Sequence, residues 1–314
     1  MVDIEKTPFV RDLASSDRKV RDKALESLTL FLRSRNDLSV LDLLKLWKGL
    51  FFCFYHSDRP LTQQALARAL SYSLVPSLPH ATLHRFLRAF WITIGRDFHS
   101  IDRLRLDKYL FLIRCYVGVA FEVFLKNGGK SAPVDGKKRK REDAGKKGWG
   151  KKQKKEAEED AAAQEEDVEA EEGKWADLAA YISIIEEGPL CPVNFDPDQS
   201  DHEEEDEDFV PMPHGPDGLR YHIIDIWIDE LEKVLEFEEN EDGDRKIKGD
   251  VPMEWILQPL ETLRTDSPYK PVRARAAEAL NDDRLVEWGI RAREPEAKDE
   301  DEEESDGEWG GFDD

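Results

Sequence analysis

Between Leu110 and Phe124 the chain is almost wholly apolar, with Arg114 and Glu122 as the charged exceptions. The charged and aliphatic lead Ile101 to Tyr109 precedes it, and Ile101 to Lys126 reads as one long helix. At about 100° per residue, Arg103, Asp107 and Arg114 fall within roughly 40° of one another, while the apolar residues of the second half point in every direction. A helix apolar all round must be buried all round. The run is shorter than the roughly 20 residues a bilayer core requires, and Arg114 interrupts it. A helix enclosed by other elements, with no membrane partner, is therefore expected.

The remaining elements must supply that enclosure. Val20 to Leu32 places Val20, Ala24, Leu28 and Phe31 or Leu32 at helical spacing behind an Asp17 cap. Ser39 with Asp42 forms a capping-box variant opening a helix to Tyr55, with Leu41, Leu44, Trp47, Leu50, Phe51 and Phe54 on a broad apolar face. Asp58-Arg59-Pro60 starts a third helix through Val75, and Pro76 and Pro79 break the chain before a fourth over His84 to Phe98. Trp175 to Glu186, Gly218 to Glu236, Met253 to Leu263 and Val272 to Trp288 extend the series. Helices with short joints and no convincing strand alternation predict an all-α fold. Val20-Arg21 to Leu28 and Val272-Arg273 to Leu280 share Val, Arg, Ala, Glu and Leu at matching offsets. HEAT-type helices carry such a pattern, although two ordinary amphipathic helices would also produce it. The expectation is an irregular HEAT-like helical array.

Charge divides the chain. Residues 1–128 carry net +7, residues 129–155 net +9, and the rest net −39, which together give the overall −23. The expected organisation is an N-terminal helical-repeat region at 1–128 and a basic then acidic linker at 129–174. C-terminal helices at 175–292 pack on the same array, with an acidic loop near 196–217, and 293–314 form an acidic tail. The linker and tail contain too few apolar residues to offset the entropy of ordering. Cys53, Cys115 and Cys191 are widely spaced and show no CxxC pair, which argues against a disulfide framework or zinc ribbon and fits a reducing compartment. The N-terminus has no apolar signal core.

No nucleotide-binding glycine loop, HExxH or GxSxG occurs, so no catalytic residue, cofactor or metal is assigned. His80 and His84 have metal-ligand spacing, but with no acidic or cysteine partner evident they read as ordinary surface histidines. Arg103 and Asp107 suit an intrahelical pair. Arg105 and Lys108 point elsewhere, toward a structural role or a partner such as RNA phosphate, and Arg85, Arg88 and Arg96 would enlarge that basic patch. Lys137, Lys138, Arg139, Lys140 and Arg141, then Lys151, Lys152, Lys154 and Lys155, resemble a bipartite nuclear-import signal. In the tail, Trp309 and Phe312 suggest a docking motif, and Ser305 ahead of Asp306 and Glu308 suits an acidophilic kinase.

Four separated blocks, Trp47 to Cys53, Ser57 to Leu61, Ile101 to Tyr109 and Gly218 to Leu231, together resemble the ribosomal RNA processing protein 1 family. The resemblance spans roughly residues 5 to 126 and 175 to 290. It implies a nucleolar, helical-repeat assembly factor of large-subunit precursors, needed for precursor rRNA processing without being the nuclease. The implied partners are preribosome assembly factors and ribosomal proteins, with precursor rRNA as a further contact and no small-molecule substrate. An acidic nuclear chaperone for basic proteins and an RNA-processing enzyme with an unfamiliar site are the alternatives.

Overall fold

The computed structural model describes residues 12–13, 15, 17–128, 173–194, 210–239 and 245–292. Helix α1 is Arg18–Arg33, capped by the Asp17 carboxylate, which accepts from the Lys19 amide. Helix α2, Val40–Tyr55, begins at Ser39, whose hydroxyl accepts from the Asp42 amide. Helix α3, Pro60–Arg68, widens into a π turn at Ala69–Ser73 and tightens into a 3-10 turn at Val75–Ser77. Helix α4, His80–Asp97, starts one turn earlier than the apolar spacing predicts, because the Pro79 carbonyl accepts from the Thr82 and Leu83 amides.

Helix α5 is Arg103–Gly128. Its cap is Asp102, which accepts from the Leu104 and Arg105 amides at 3.0 and 3.1 Å. Helix α6 covers residues 173–187 and helix α7 is Asp217–Glu232. Beyond α7 the expected continuation to Glu236 is replaced by an antiparallel hairpin, β1 Phe237–Glu239 against β2 Arg245–Ile247, with Phe237 opposite Ile247. Three-residue strands are too short for their alternation to register in the sequence. Helix α8 is Met253–Asp266. The single helix expected over Val272 to Trp288 is two, α9 Lys270–Leu280 and α10 Asp283–Glu287, because the first closes at Asn281 and Asp282 caps the second.

The packing is that of an all-α helical array. Helix α2 lies on α4, and α5 receives α3 on one side and α7 on another, while α9 packs on both α7 and α8. The α5 run is enclosed as expected: Ile113, Tyr116, Val117, Val119, Ala120 and Phe121 are all fully buried. Aromatic contacts thread the core from one half to the other. Trp47 sits against Phe86, Phe90 and Tyr116, with ring centroids 4.9 to 5.3 Å apart, and Tyr116 stacks on Phe90 at 3.8 Å. Phe121 then meets Trp227 of α7 edge-on at 4.9 Å, and the Trp227 indole N–H donates to the Ile256 carbonyl of α8. Each such side chain contributes about 1.5–3 kcal/mol through burial.

The two Val-Arg echoes differ in depth. Val272, Ala276 and Leu280 are all buried, whereas in α1 Ala24 and Leu28 are buried and Val20 is 37% exposed. Leu41, expected on the inner face of α2, is also exposed, and Leu43 and Leu46 take the inner positions.

Candidate interaction surface

The joints between helices determine which charged groups remain for a partner. At the first joint, the carbonyls that end α2 have no intrahelical amide to accept from. Lys108 is one of the side chains that supply donors there: its ammonium bonds the Tyr55 carbonyl at 2.7 Å and the Ser57 carbonyl at 2.9 Å, and Gln63 Nε2 also donates to the Ser57 carbonyl at 2.7 Å. The residue is only 7% exposed, and burial holds its pKa below the ordinary lysine value. Arg105 donates from Nε to the same Tyr55 carbonyl and from Nη1 to Asp102 at 2.6 Å, with its guanidinium 4.4 Å from the Tyr55 ring centre. The Tyr55 hydroxyl completes the ring of contacts by donating to Asp102 at 2.8 Å. Of the two roles that the sequence leaves open for Arg105 and Lys108, the contacts here are structural: Lys108 turns inward onto the Tyr55 and Ser57 carbonyls, and Arg105 clamps the same corner. Arg103 and Asp107 are both exposed and form no ion pair with each other.

At the second joint, α6 is fastened to α4. Arg88 grips Glu187 through two bonds of 2.5 and 2.6 Å and donates to the Val210 carbonyl at 3.1 Å. His80 bonds the Asp177 carboxylate at 2.8 Å, and His84 bonds the Asp177 carbonyl at 3.0 Å. The acidic partner that neighbouring sequence lacks therefore arrives from 97 positions away. Among the described residues, however, no three His, Cys, Asp or Glu side chains are arranged to hold a metal ion.

A third joint connects α5 to α7. Arg114 donates from Nε to Glu230 and from Nη2 to Asp229 at 2.8 Å. Lys233 also donates to Glu230, at 2.5 Å. Glu230 faces the first half of the chain, with a side chain only 3% exposed. Asp229 uses its other oxygen for Arg284 of α10.

Two of the five candidate cations keep substantial solvent access. Arg85 is half-buried and donates to the Ala81 and Asn36 carbonyls, and Arg96 is exposed beside Asp97. They lie about 20° apart around α4 and roughly 16 Å apart along it. Arg88 lies between them in sequence but is committed to Glu187. Exposed apolar side chains accompany these surfaces, among them Leu30, Phe52, Leu61 and Leu104. Residues 137–155, Ser305, Trp309 and Phe312 lie outside the described residues. Among the described residues, no helix is long and apolar enough to cross a membrane.

The same two halves are recognised by a family model, that of the nucleolar protein Nop52, which matches residues 4–136 and 178–311. The chain belongs to the Nop52 family. The ribosomal RNA processing protein 1 homolog B of Homo sapiens is 29% identical over 231 residues, covering 72% of this chain and 22% of that protein. The mouse homolog B is 37% identical over 131 residues, with 40% of this chain and 18% of that protein covered. The human homolog A is 34% identical over 128 residues, with 39% and 28% covered. The chain thus spans between about a fifth and somewhat over a quarter of these Nop52-family relatives. Membership places it in a family of nucleolar proteins, and the relatives it matches are named ribosomal RNA processing proteins, in agreement with the four sequence blocks.

Proposed function

We propose that this Nop52-family chain is a non-catalytic scaffold of large-subunit ribosome assembly, required for precursor rRNA processing through contacts with other assembly factors and rRNA. The observation that carries this reading is where the charged chemistry goes. Lys108, Arg105, Arg88, Arg114 and Glu230 all join one helix to another, and their arrangement supports a rigid body that presents surfaces. Exposed Leu61, Leu104 and Phe52 suit protein contacts, and Arg85 with Arg96 suits phosphate. Residues 137–155 supply the nuclear-entry signal in this reading, and their deletion should reduce nuclear accumulation.

Depletion of the protein should stall large-subunit precursors, while the purified chain leaves a precursor transcript uncut. Normal processing after depletion, or cleavage abolished by one point substitution, would overturn the proposal.

A further inference from the structure

Between α3 with its π turn, α5 and α7 runs a groove made of two cavities of about 560 and 200 Å³ that share Tyr72, Glu230 and Lys233. Single-turn π widenings of a helix frequently accompany functional surfaces. Here the π turn brings Tyr72, 39% exposed, to the groove, opposite the partly buried Phe111 ring. Gly118 permits the close approach: a Cβ there would stand 2.5 Å from the Tyr72 hydroxyl and 2.7 Å from a Glu230 oxygen.

The walls carry four cations, Arg68, Arg114, Lys126 and Lys233, against two carboxylates, Glu122 and Glu230. Glu230, 3% exposed, is bonded by Arg114 and Lys233, and Glu122 is bonded by Lys126, so the excess positive charge rests on Arg68 and on the exposed Lys126 and Lys233. Arg68 is exposed and holds its guanidinium 5.8 Å from the Phe111 ring centre. An aromatic floor under a cationic rim suits an acidic peptide with aromatic anchors.

Such a peptide is in this chain. Residues 299–314 contain ten carboxylates and no basic side chain, and include Trp309 and Phe312. The last described helix lies close by, since Arg284 of α10 shares Asp229 with Arg114 of the groove. Trp309 follows the last described position by 17 residues, a reach of up to roughly 55 Å when extended. We propose that residues 299–314 occupy this groove, with Trp309 and Phe312 against Tyr72 and Phe111 and with their carboxylates against Arg68 and Lys126.

A photo-crosslinking amino acid at position 309 of the full chain tests this, with products mapped by mass spectrometry at two protein concentrations. Crosslinks within one chain to Tyr72, Phe111 or Ala65 are expected, at a yield independent of concentration. The variant Arg68→Glu with Lys126→Glu should lower that yield roughly tenfold, because two exposed attractions become repulsions. Both positions are exposed, and an unchanged circular dichroism spectrum verifies the fold. Crosslinks to another face, crosslinks only between chains, no crosslink, or a yield indifferent to the charge reversals would each overturn the proposal.

Discussion

Replacing Arg114 with alanine should loosen the attachment of α7 to α5. Glu230 would keep Lys233 as its remaining ionic partner, in a position where its side chain is 3% exposed. Breaking a fully buried pair from one side costs about 3–5 kcal/mol. Arg114 itself is 35% exposed, so water screens part of the interaction, and about 2 kcal/mol is the expected loss. That corresponds to a melting temperature lower by roughly 4–8 °C for a fold of this size. The decisive comparison is the double variant Arg114→Met with Glu230→Leu, which replaces both charges by apolar groups of similar volume. It should recover to within about 1 kcal/mol of the parent, since no buried charge is left without a partner. Urea unfolding of parent, both single variants and the double variant gives the coupling directly. An Arg114→Ala variant within about 0.5 kcal/mol of the parent, or a double variant whose loss equals the sum of the singles, would refute the reasoning.

Lys108→Ala should destabilise by about 1 kcal/mol, because the Tyr55 and Ser57 carbonyls each lose one of two donors and keep Arg105 and Gln63, and Lys108→Glu should do worse. A Lys108→Glu chain that melts with the parent would return this residue to the surface. Gly118→Ala gains about 1 kcal/mol of helix propensity but drives a Cβ into Tyr72 and Glu230, for a net loss of roughly 1 kcal/mol in thermal unfolding. The Arg284 guanidinium holds Asp282 below the usual carboxylate range, and its bond with that of Arg114 outweighs burial to hold Asp229 there too. Their contribution is therefore complete above pH 3.8 and lost as pH falls through the depressed folded values. Acid titrations followed by circular dichroism should show a shallower decline in Arg284→Ala, and identical slopes would contradict the assignment.

Local chemistry was legible in the sequence, and what depends on distant partners was not. Asp17 and Ser39 cap the helices that their spacing announces, because a cap acts within three residues. The enclosure of α5 followed from its lack of a polar face. Nothing near Glu230 in sequence names Arg114, which lies 116 positions away. Lys108 illustrates the same limit: its angle around α5 was calculable, but the Tyr55 and Ser57 carbonyls that face it lie 53 and 51 positions away, at the corner that follows α2. Asp177 had no sequence signal linking it to His80 and His84, since α6 reaches α4 only after the chain has passed through 129–172. Tyr72 depends on a π turn, a change of pitch that apolar periodicity does not encode.

Phe124, near the end of α5, stacks on both His84 and Tyr181 of α6, with ring centroids 5.2 Å away in each case. Residues on either side of 129–172 therefore meet at one corner of the body. Closing a longer excursion there costs only about 0.6 kcal/mol per doubling of its length, so insertions and deletions meet little thermodynamic resistance. The family match skips this stretch, from 137 to 177. The same geometry makes the peptide connection dispensable in principle: a chain severed between 129 and 172 should reassemble from two fragments, held by the α4–α6 and α5–α7 contacts.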